Sequence, residues 1–486
     1  MAGRSVFGHS PARGQQLEDH YFGTIPSRVY DFMREFEIES WKLGIPVRTR
    51  HNEVAPSQFE VAPLFEEVNV ANDHNQLMMD VMSRVGEKHN LKILFHEKPF
   101  AGLNGSGKHN NWSLSDEFGN NLLGPGETPH DNMQFLVFCA AVLRAVDRWQ
   151  GLLRASISSA GNDHRLGANE APPAILSVFL GDMLTDIFGQ IENGGAKSTK
   201  QGGTLDVGVN VLPKLPRDAG DRNRTSPFAF TGNKFEFRAV SSGQNIAFPN
   251  TMLNAAMADA LDGIATELET AKKKGEDLNK AVAKLLNKVI KEHKRIIFNG
   301  NNYAAEWEKE AGKRKLLNLK NTVDALPQLV TKEAVALLER YKILNEREIH
   351  ARYEVFLENY NMTLNVEGQL MVLMASRYIL PAALEYQKRI AESVTAVKQA
   401  GGSSASGKRL LAYYTKLVDK FKAQTDVLEQ TLAHSNGGSA EKHAKYMRDK
   451  VVPAMAKLRE LGDAIEVETP HEIWPLPTYR EMLFVK

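Results

Sequence analysis

The run Lys98-Pro99-Phe100-Ala101-Gly102-Leu103-Asn104-Gly105-Ser106-Gly107-Lys108-His109-Asn110-Asn111-Trp112-Ser113 places three glycines, two lysines and a histidine in one short polar segment. Glycine at 102, 105 and 107 lets the backbone approach an anion closely, because no Cβ stands in the way. Gly102 to Lys108 satisfies the first seven positions of the nucleotide-binding pattern G-x-x-x-x-G-K, but the eighth, which should be Ser or Thr, is His109. Asn110-Asn111-Trp112-Ser113 opens a helix poorly, so a P-loop is not expected. On spacing alone the segment reads equally as a phosphate cradle or as a polar connector.

Working outward, His51-Asn52-Glu53-Val54-Ala55-Pro56-Ser57-Gln58-Phe59-Glu60 carries two carboxylates seven residues apart. In an unbroken strand Glu53 and Glu60 would lie on opposite faces. Pro56-Ser57 offers a turn that brings both to one site. Converging carboxylates suit a hard divalent cation such as Mg²⁺ or Mn²⁺; two surface glutamates flanking a turn is the plainer alternative. Asn162 to Pro173, polar and closed by Pro172-Pro173, reads as a loop at a site mouth or on an ordinary surface, with Arg165 able to fork onto a carboxylate or phosphate. Arg222-Asn223-Arg224 precedes Lys234-Phe235-Glu236-Phe237-Arg238. Strand alternation puts Lys234, Glu236 and Arg238 on one face and the two phenylalanines on the other. The charged face then looks at a site, or at water from an edge strand.

Bulk properties narrow the classes. The 486 residues suffice for more than one packed unit. Lys plus Arg is 60 and Asp plus Glu is 59, which argues against a general nucleic-acid binder, since phosphate contacts need a basic surplus. Cys139 is the only cysteine, set in an apolar run, and reads as core in a reducing compartment, consistent with a cytoplasmic protein. The most apolar window, Gln369 to Leu384, contains Arg377 and is too short to span a bilayer.

The chain changes character near residue 250. Before it, short apolar runs alternate with Gly, Pro and Asn clusters, as in a mixed α/β or α+β domain. Leu91 to Phe95 and Asp206 to Val211 read as strands, and Asp73 to Glu87 and Met133 to Leu153 as helices. After it, helical spacing dominates. Lys408 to Ala433 is the clearest helix, with Leu410, Tyr414, Leu417, Phe421, Leu428 and Leu432 on one face. Gly401 to Gly407 and Ser435 to Gly438 read as loops. Lys284, Lys288 and Lys291 line one helix face and read as solvated.

Together these segments resemble the glutamine synthetase family, and more narrowly its long type III branch. Lys98 to Ser113 is similar to the family's ATP-site pattern throughout: Lys-Pro, an apolar residue, a spacer, Asn-Gly-Ser-Gly, one residue, His, three residues, Ser. The type III flavour lies in His96-Glu97-Lys98-Pro99-Phe100, in His164 to Pro173, in Arg222 to Phe228 and in the helical tail. The resemblance implies an α+β fold with an antiparallel curved sheet and helices, a catalytic domain over residues 1–265 and a C-terminal helical region over 266–486. It implies Glu53 and Glu60 as ligands of a first divalent metal (Mg²⁺ or Mn²⁺) and His109 and Glu236 as ligands of a second. Asn104, Gly105 and Arg165 would bind glutamate. Ser113, Arg224 and Arg238 would face ATP or the transferring phosphoryl group, and Glu170 would sit on a flap closing over the site.

The implied reaction is ligation of ammonia to the side-chain carboxylate of glutamate through γ-glutamyl phosphate, in a homo-oligomeric ring with no nucleic-acid or membrane partner. Three positions depart from the family's pattern. Ala229 stands where a phosphate-contacting arginine is expected, Asn111 where a histidine is, and nothing between Met1 and Arg50 supplies the Glu-x-Glu strand that gives each metal a further carboxylate. The catalytic domain is accordingly expected to be incomplete at its N-terminus, and the chain alone to make little glutamine. A γ-glutamyl-amine ligase of the same fold and an inactive fragment or homologue are the alternatives.

Overall fold

The alternation of residues 234–238 organises the catalytic half. The computed structural model describes residues 21, 23–55, 57–100, 102–168, 171–199, 225–434 and 438–477, with the backbone of residues 204–205 and 215–216. Helix α1 (Ser27–Lys42) buries Val29, Phe32, Met33 and Phe36, three and four residues apart, and ends at Gly44, whose φ of +80° reverses the chain. Strands β1 (Val47–Asn52) and β2 (Phe59–Pro63) form an antiparallel hairpin in which His51 pairs with Glu60. Helix α2 (Val68–Lys88), capped by the Glu67 carboxylate, lays Met78, Val81 and Val85 on the same small core as α1.

Residues Leu91 to Phe95 do not form the expected strand. Leu91 N–H closes the end of α2 on Gly86 C=O at 2.8 Å, and Leu91 and Ile93 pack against that small core instead of pairing. The apolar run is spent on a helix-to-loop contact, so it has no ladder to join. Asp206 to Val211 lies outside the described residues.

Strand β3 (Gly107–Trp112) follows the glycine loop, so that loop leads into a strand and not into the helix a P-loop requires. Helices α3 (Met133–Arg148), α4 (Gln150–Ser156) and α5 (Ala160–Arg165) come next. The single helix expected over Met133 to Leu153 breaks at Trp149, whose indole N–H donates to Asp259 at 2.9 Å. Strand β4 (Val178–Phe179), helix α6 (Gly181–Glu192), the short pair β5 (Thr204–Leu205) and β6 (Leu215–Pro216), and strands β7 (Phe228–Phe230) and β8 (Phe235–Ser241) complete this half. The main sheet has the order β3-β8-β7-β4, antiparallel except for β4 beside β7. β8 is buried along its whole length between two neighbours, so the edge-strand alternative is excluded. Phe235 and Phe237 pack on Phe228, and Phe235 also on Phe230, as the alternation requires.

Helix α7 (Ala247–Lys273) runs through residue 265, the expected domain limit. It leads to α8 (Leu278–His293), α9 (Ala305–Lys313), α10 (Thr322–Ala325) and α11 (Lys332–Arg340). On α8 the lysine face is solvated: Lys288 pairs with Glu267 at 2.8 Å and Lys284 with Glu276. Long helices follow: α12 (Glu346–Met374), α13 (Leu380–Gln399), α14 (Ala405–Ala433), α15 (Ala440–Tyr446) and α16 (Val452–Glu468). The loop expected over Gly401 to Gly407 is shorter than its composition suggests, since α14 starts at Ala405. Wide π-turns at Ala375–Ile379 and Met447–Val451 precede Pro381 and Pro453 and accommodate residues that cannot donate to the helix ladder. Tyr414, fully buried, donates or accepts a 2.7 Å hydrogen bond with Thr469 where α14 packs on α16. One apolar core runs from Trp112 on β3 through Cys139 to Ile465 on α16 and joins both halves. Among the described residues no helix is long and apolar enough to cross a membrane.

Candidate active site

The pairing of β3 with β8 is regular except beside His109. Lys108 faces Val240 and Asn110 faces Phe237, so two residues of β8, Arg238 and Ala239, oppose His109 alone. Such a bulge re-aims side chains. Here it brings His109 Nδ1 to 2.9 Å from Glu236 Oε1, while Arg238 Nη2 donates to Glu236 Oε2 at 3.0 Å. Burial alone would raise the Glu236 pKa. The hydrogen bond and charge of His109, with the charge and hydrogen bond of Arg238, outweigh it and hold the carboxylate at about 2. Glu236 is therefore a buried anion, with half-exposed His109 at the opening beside it.

The second group sits on the hairpin. Glu53 N–H donates to Gln58 C=O at 2.9 Å and Ser57 adopts φ 55°, which closes the turn between β1 and β2; Pro56 lies outside the described residues. The closure puts His51 Nε2 3.0 Å from Glu53 Oε1 and 3.9 Å from Glu60 Oε2. One ligand atom from each of the three lies within 4.8 Å of the others. Gln58 then ties the hairpin to the glycine loop, its Nε2 donating to Gly105 C=O at 2.8 Å and to Ser106 Oγ at 3.2 Å.

The loop itself folds back on residue 97. Ser106 N–H donates to Glu97 C=O at 2.8 Å, and a Cβ on Gly105 would overlap that carbonyl. Lys98 Nζ donates to Leu103 C=O across the loop. Asn104 is half-buried at its crest. Lys108, the lysine of the P-loop look-alike, points elsewhere: its Nζ donates to the carbonyls of Gln244, at 2.7 Å, and Ser242. Burial lowers its pKa to about 8, against the opposing pull of Glu97.

Arg165 is not on a loop. It ends α5, buried, with Nη2 donating to Arg238 C=O at 2.8 Å and Nη1 to Val240 C=O at 3.2 Å. The expected loop is confined to the residues after it, because Ser159 caps a helix at Asn162 N–H. A Cβ on Gly107 would overlap the Arg165 guanidinium, which explains that glycine better than anion approach does. Ser113 lies beyond the far end of β3, its Oγ donating to Asn121 Oδ1 at 2.6 Å beside the β7–β8 turn. Glu170 and Arg224 lie outside the described residues.

Two residues escaped the sequence reading. Glu97 is buried and accepts from Ser241 Oγ and, at 2.8 Å, from Gly243 N–H; Gly161 is open on the same side because a Cβ there would overlap its other oxygen. Asp163, on α5, accepts from Thr322 N–H at 2.8 Å and Thr322 Oγ1 at 2.9 Å, with Arg154 Nη2 at 3.6 Å. Neither has a local signal, since the donors Ser241, Gly243 and Thr322 are more than 140 residues away in sequence.

Imidazole nitrogen with carboxylate oxygen, in two places joined by a glycine loop, is donor chemistry that fits Mg²⁺ or Mn²⁺, and Arg238 on the strand of Glu236 suits phosphoryl oxygens. The class such donors suit is a metal-dependent phosphoryl-transfer enzyme. Residues 6–175 match the glutamine synthetase catalytic domain and residues 281–398 the glutamine synthetase C-terminal domain. The chain is 45% identical over 497 residues to a glutamine synthetase of Bacteroides fragilis (strain YCH46), covering all of this chain and 68% of that protein. It is 42% identical to a type-3 glutamine synthetase of Dictyostelium discoideum, over its whole length and 67% of that protein. It is 41% identical to a glutamine synthetase of Butyrivibrio fibrisolvens, of which it covers 69%. The chain belongs to the glutamine synthetase family, ligases that form glutamine from glutamate and ammonia with ATP.

Proposed function

We propose that this chain ligates ammonia to the glutamate side chain with Glu236, His109, Glu53 and Glu60 holding two divalent cations, Mg²⁺ or Mn²⁺. The observation that carries the reading is the clasp of Glu236 between His109 at 2.9 Å and Arg238 at 3.0 Å, beside a hairpin tied to the glycine loop by Gln58. A carboxylate kept ionised in a buried strand is what a cation ligand needs. When bound, the cations neutralise charge on the phosphate oxygens of ATP.

The chain's own residues supply the rest. Arg238 faces the transferring phosphoryl group, with Arg224 and Ser113 on the nucleotide. Asn104 and Gly105 at the crest of the loop, with Arg165 behind them, bind glutamate. Because Arg165 already spends its guanidinium on β8 carbonyls, its part is to hold the floor of that pocket. Glu170 closes over the site and keeps water from the γ-glutamyl phosphate until ammonia displaces phosphate, since an acyl phosphate hydrolyses if left open. The family resemblance supports a homo-oligomeric ring in the cytoplasm.

The test is glutamine and phosphate release from glutamate, ammonium and ATP with Mg²⁺ or Mn²⁺, for the wild-type chain and Glu236→Gln. The variant is expected to lose at least about 100-fold in kcat/KM, the size of losing a ligand or its support. Unchanged turnover would remove Glu236 from the site. A higher kcat/KM with methylamine or ethylamine than with ammonium would favour the γ-glutamyl-amine ligase alternative.

A further inference from the structure

We propose that His51 is a third protein ligand of the cation held by Glu53 and Glu60. The inference rests on the two-cation reading above and adds to it a nitrogen donor that the family resemblance does not bring.

Three features of the hairpin carry it. Residues 51 and 53 share a face by alternation, and the antiparallel register sets Glu60 directly across from His51. All three side chains therefore project to the same side of the ribbon. Their donor atoms lie within 4.8 Å of one another. Ligands at about 2.1–2.3 Å from one ion stand about 3 Å apart when adjacent and about 4.5 Å when opposite. The His51–Glu53 distance of 3.0 Å and the His51–Glu60 distance of 3.9 Å fall inside that window. The Glu53 and Glu60 oxygens are no more than 4.8 Å apart, so small side-chain rotations would bring all three donors onto one ion. Finally the imidazole is already oriented: Tyr21 meets it edge-on, ring centroids 5.6 Å apart, and only 14% of the side chain is exposed.

The arrangement repeats the logic of the other group, where His109 stands 2.9 Å from Glu236. Each cation would then have one imidazole. An imidazole donor favours Mn²⁺ over Mg²⁺, which prefers oxygen. His51 thus makes the hairpin site Mn²⁺-selective.

The experiment uses the full chain loaded with Mn²⁺ and reads nitrogen coupling by electron spin-echo modulation. His109→Gln removes the imidazole of the other site and leaves His51 untouched, so any remaining ¹⁴N modulation comes from elsewhere. We expect modulation to persist in His109→Gln and to vanish in the double variant His51→Gln/His109→Gln. His51→Gln alone should weaken Mn²⁺ binding about tenfold and Mg²⁺ binding by less. Bound Mn²⁺ without ¹⁴N modulation in His109→Gln overturns the proposal and leaves the two-cation reading standing, with His51 as a hydrogen-bonding support only. Mn²⁺ binding that survives Glu53→Gln/Glu60→Gln unchanged overturns both. The His109→Gln arm does not depend on how well a His51 variant folds.

Discussion

Glu236 is a buried carboxylate whose two oxygens go to two different side chains, the His109 imidazole and the Arg238 guanidinium. Its folded pKa of about 2 lies below the ordinary 4.5, so the unfolded chain binds this proton first as pH falls. The stabilisation is therefore complete above about pH 4.5 and disappears as pH drops through about 2. Glu236→Gln should cost about 1–3 kcal/mol at neutral pH, and the gap from wild type should close between pH 4.5 and 2 in metal-free buffer. Denaturant melts at several pH values measure this; a gap independent of pH would mean the carboxylate is not held ionised by its neighbours. Arg165 shows the complementary case. Burial lowers even its guanidinium pKa to about 10, against the pull of Glu97 and Tyr303, and it donates to two backbone carbonyls and to Asn162 Oδ1 at 3.4 Å. A residue read from its sequence neighbourhood as forking onto a carboxylate or phosphate from a loop instead ends a helix and packs under β8, where Gly107 leaves it room.

At the scale of elements, helix α5 links the two halves. Asn162 Nδ2 donates to Ala239 C=O at 3.0 Å and Arg165 to Arg238 C=O, which fasten α5 to the strand carrying Glu236. On its other side Asp163 takes both donors of Thr322 at the start of α10, and α10's Asp324 meets Arg448 at 2.6 Å in the C-terminal helices. The residues proposed as the flap leave from the end of α5. Asp163→Ala would strip Thr322 of its acceptor and leave buried Arg154 without its nearest carboxylate. We expect a loss of about 3–5 kcal/mol, the range for a broken buried pair, and a raised KM for glutamate with ATP affinity nearly kept. Equal loss of glutamate and ATP affinity would mean α5 supports the sheet as a whole and not the flap. Asp163→Asn, which keeps one acceptor oxygen, should recover part of both.

For the whole molecule, the question is whether the catalytic half folds alone. Its core continues without a break into α8, α12, α14 and α16, with Leu285, Leu357, Phe421 and Ile465 among its members. Helix α7 crosses residue 265, and its buried Leu253, Ala256 and Ala260 belong to that same core. A fragment ending at residue 265 would expose the apolar surface these helices cover, at about 25 cal/mol per Å². It should bind ANS strongly and lack dispersed amide signals. A cooperative thermal transition with native dispersion would show that the helical region is an addition to a self-sufficient domain.

Much of this was legible in the residues themselves. The alternation of 234–238 gave β8 its buried aromatic face, the spacing in 408–433 gave α14 its packed face, and the glycine loop with its closing histidine pointed to the candidate site. Those are local patterns, with periods of two or 3.6 residues or a fixed motif spacing. The strand at Leu91 to Phe95 failed because an apolar run does not say whether a partner strand is within reach. The edge reading of β8 failed because strand order is not local. His51 stood in the quoted turn unremarked, since only the hairpin register sets it opposite Glu60. Glu97 and Asp163 gave no sign of their contacts, as their partners Ser241 and Thr322 arrive from distant segments. By itself the sequence determined the family and many of the element types, and it offered candidate cation ligands. Tertiary structure alone decided which of them meet, because register, bulges and long-range hydrogen bonds depend on packing between segments that no short window contains.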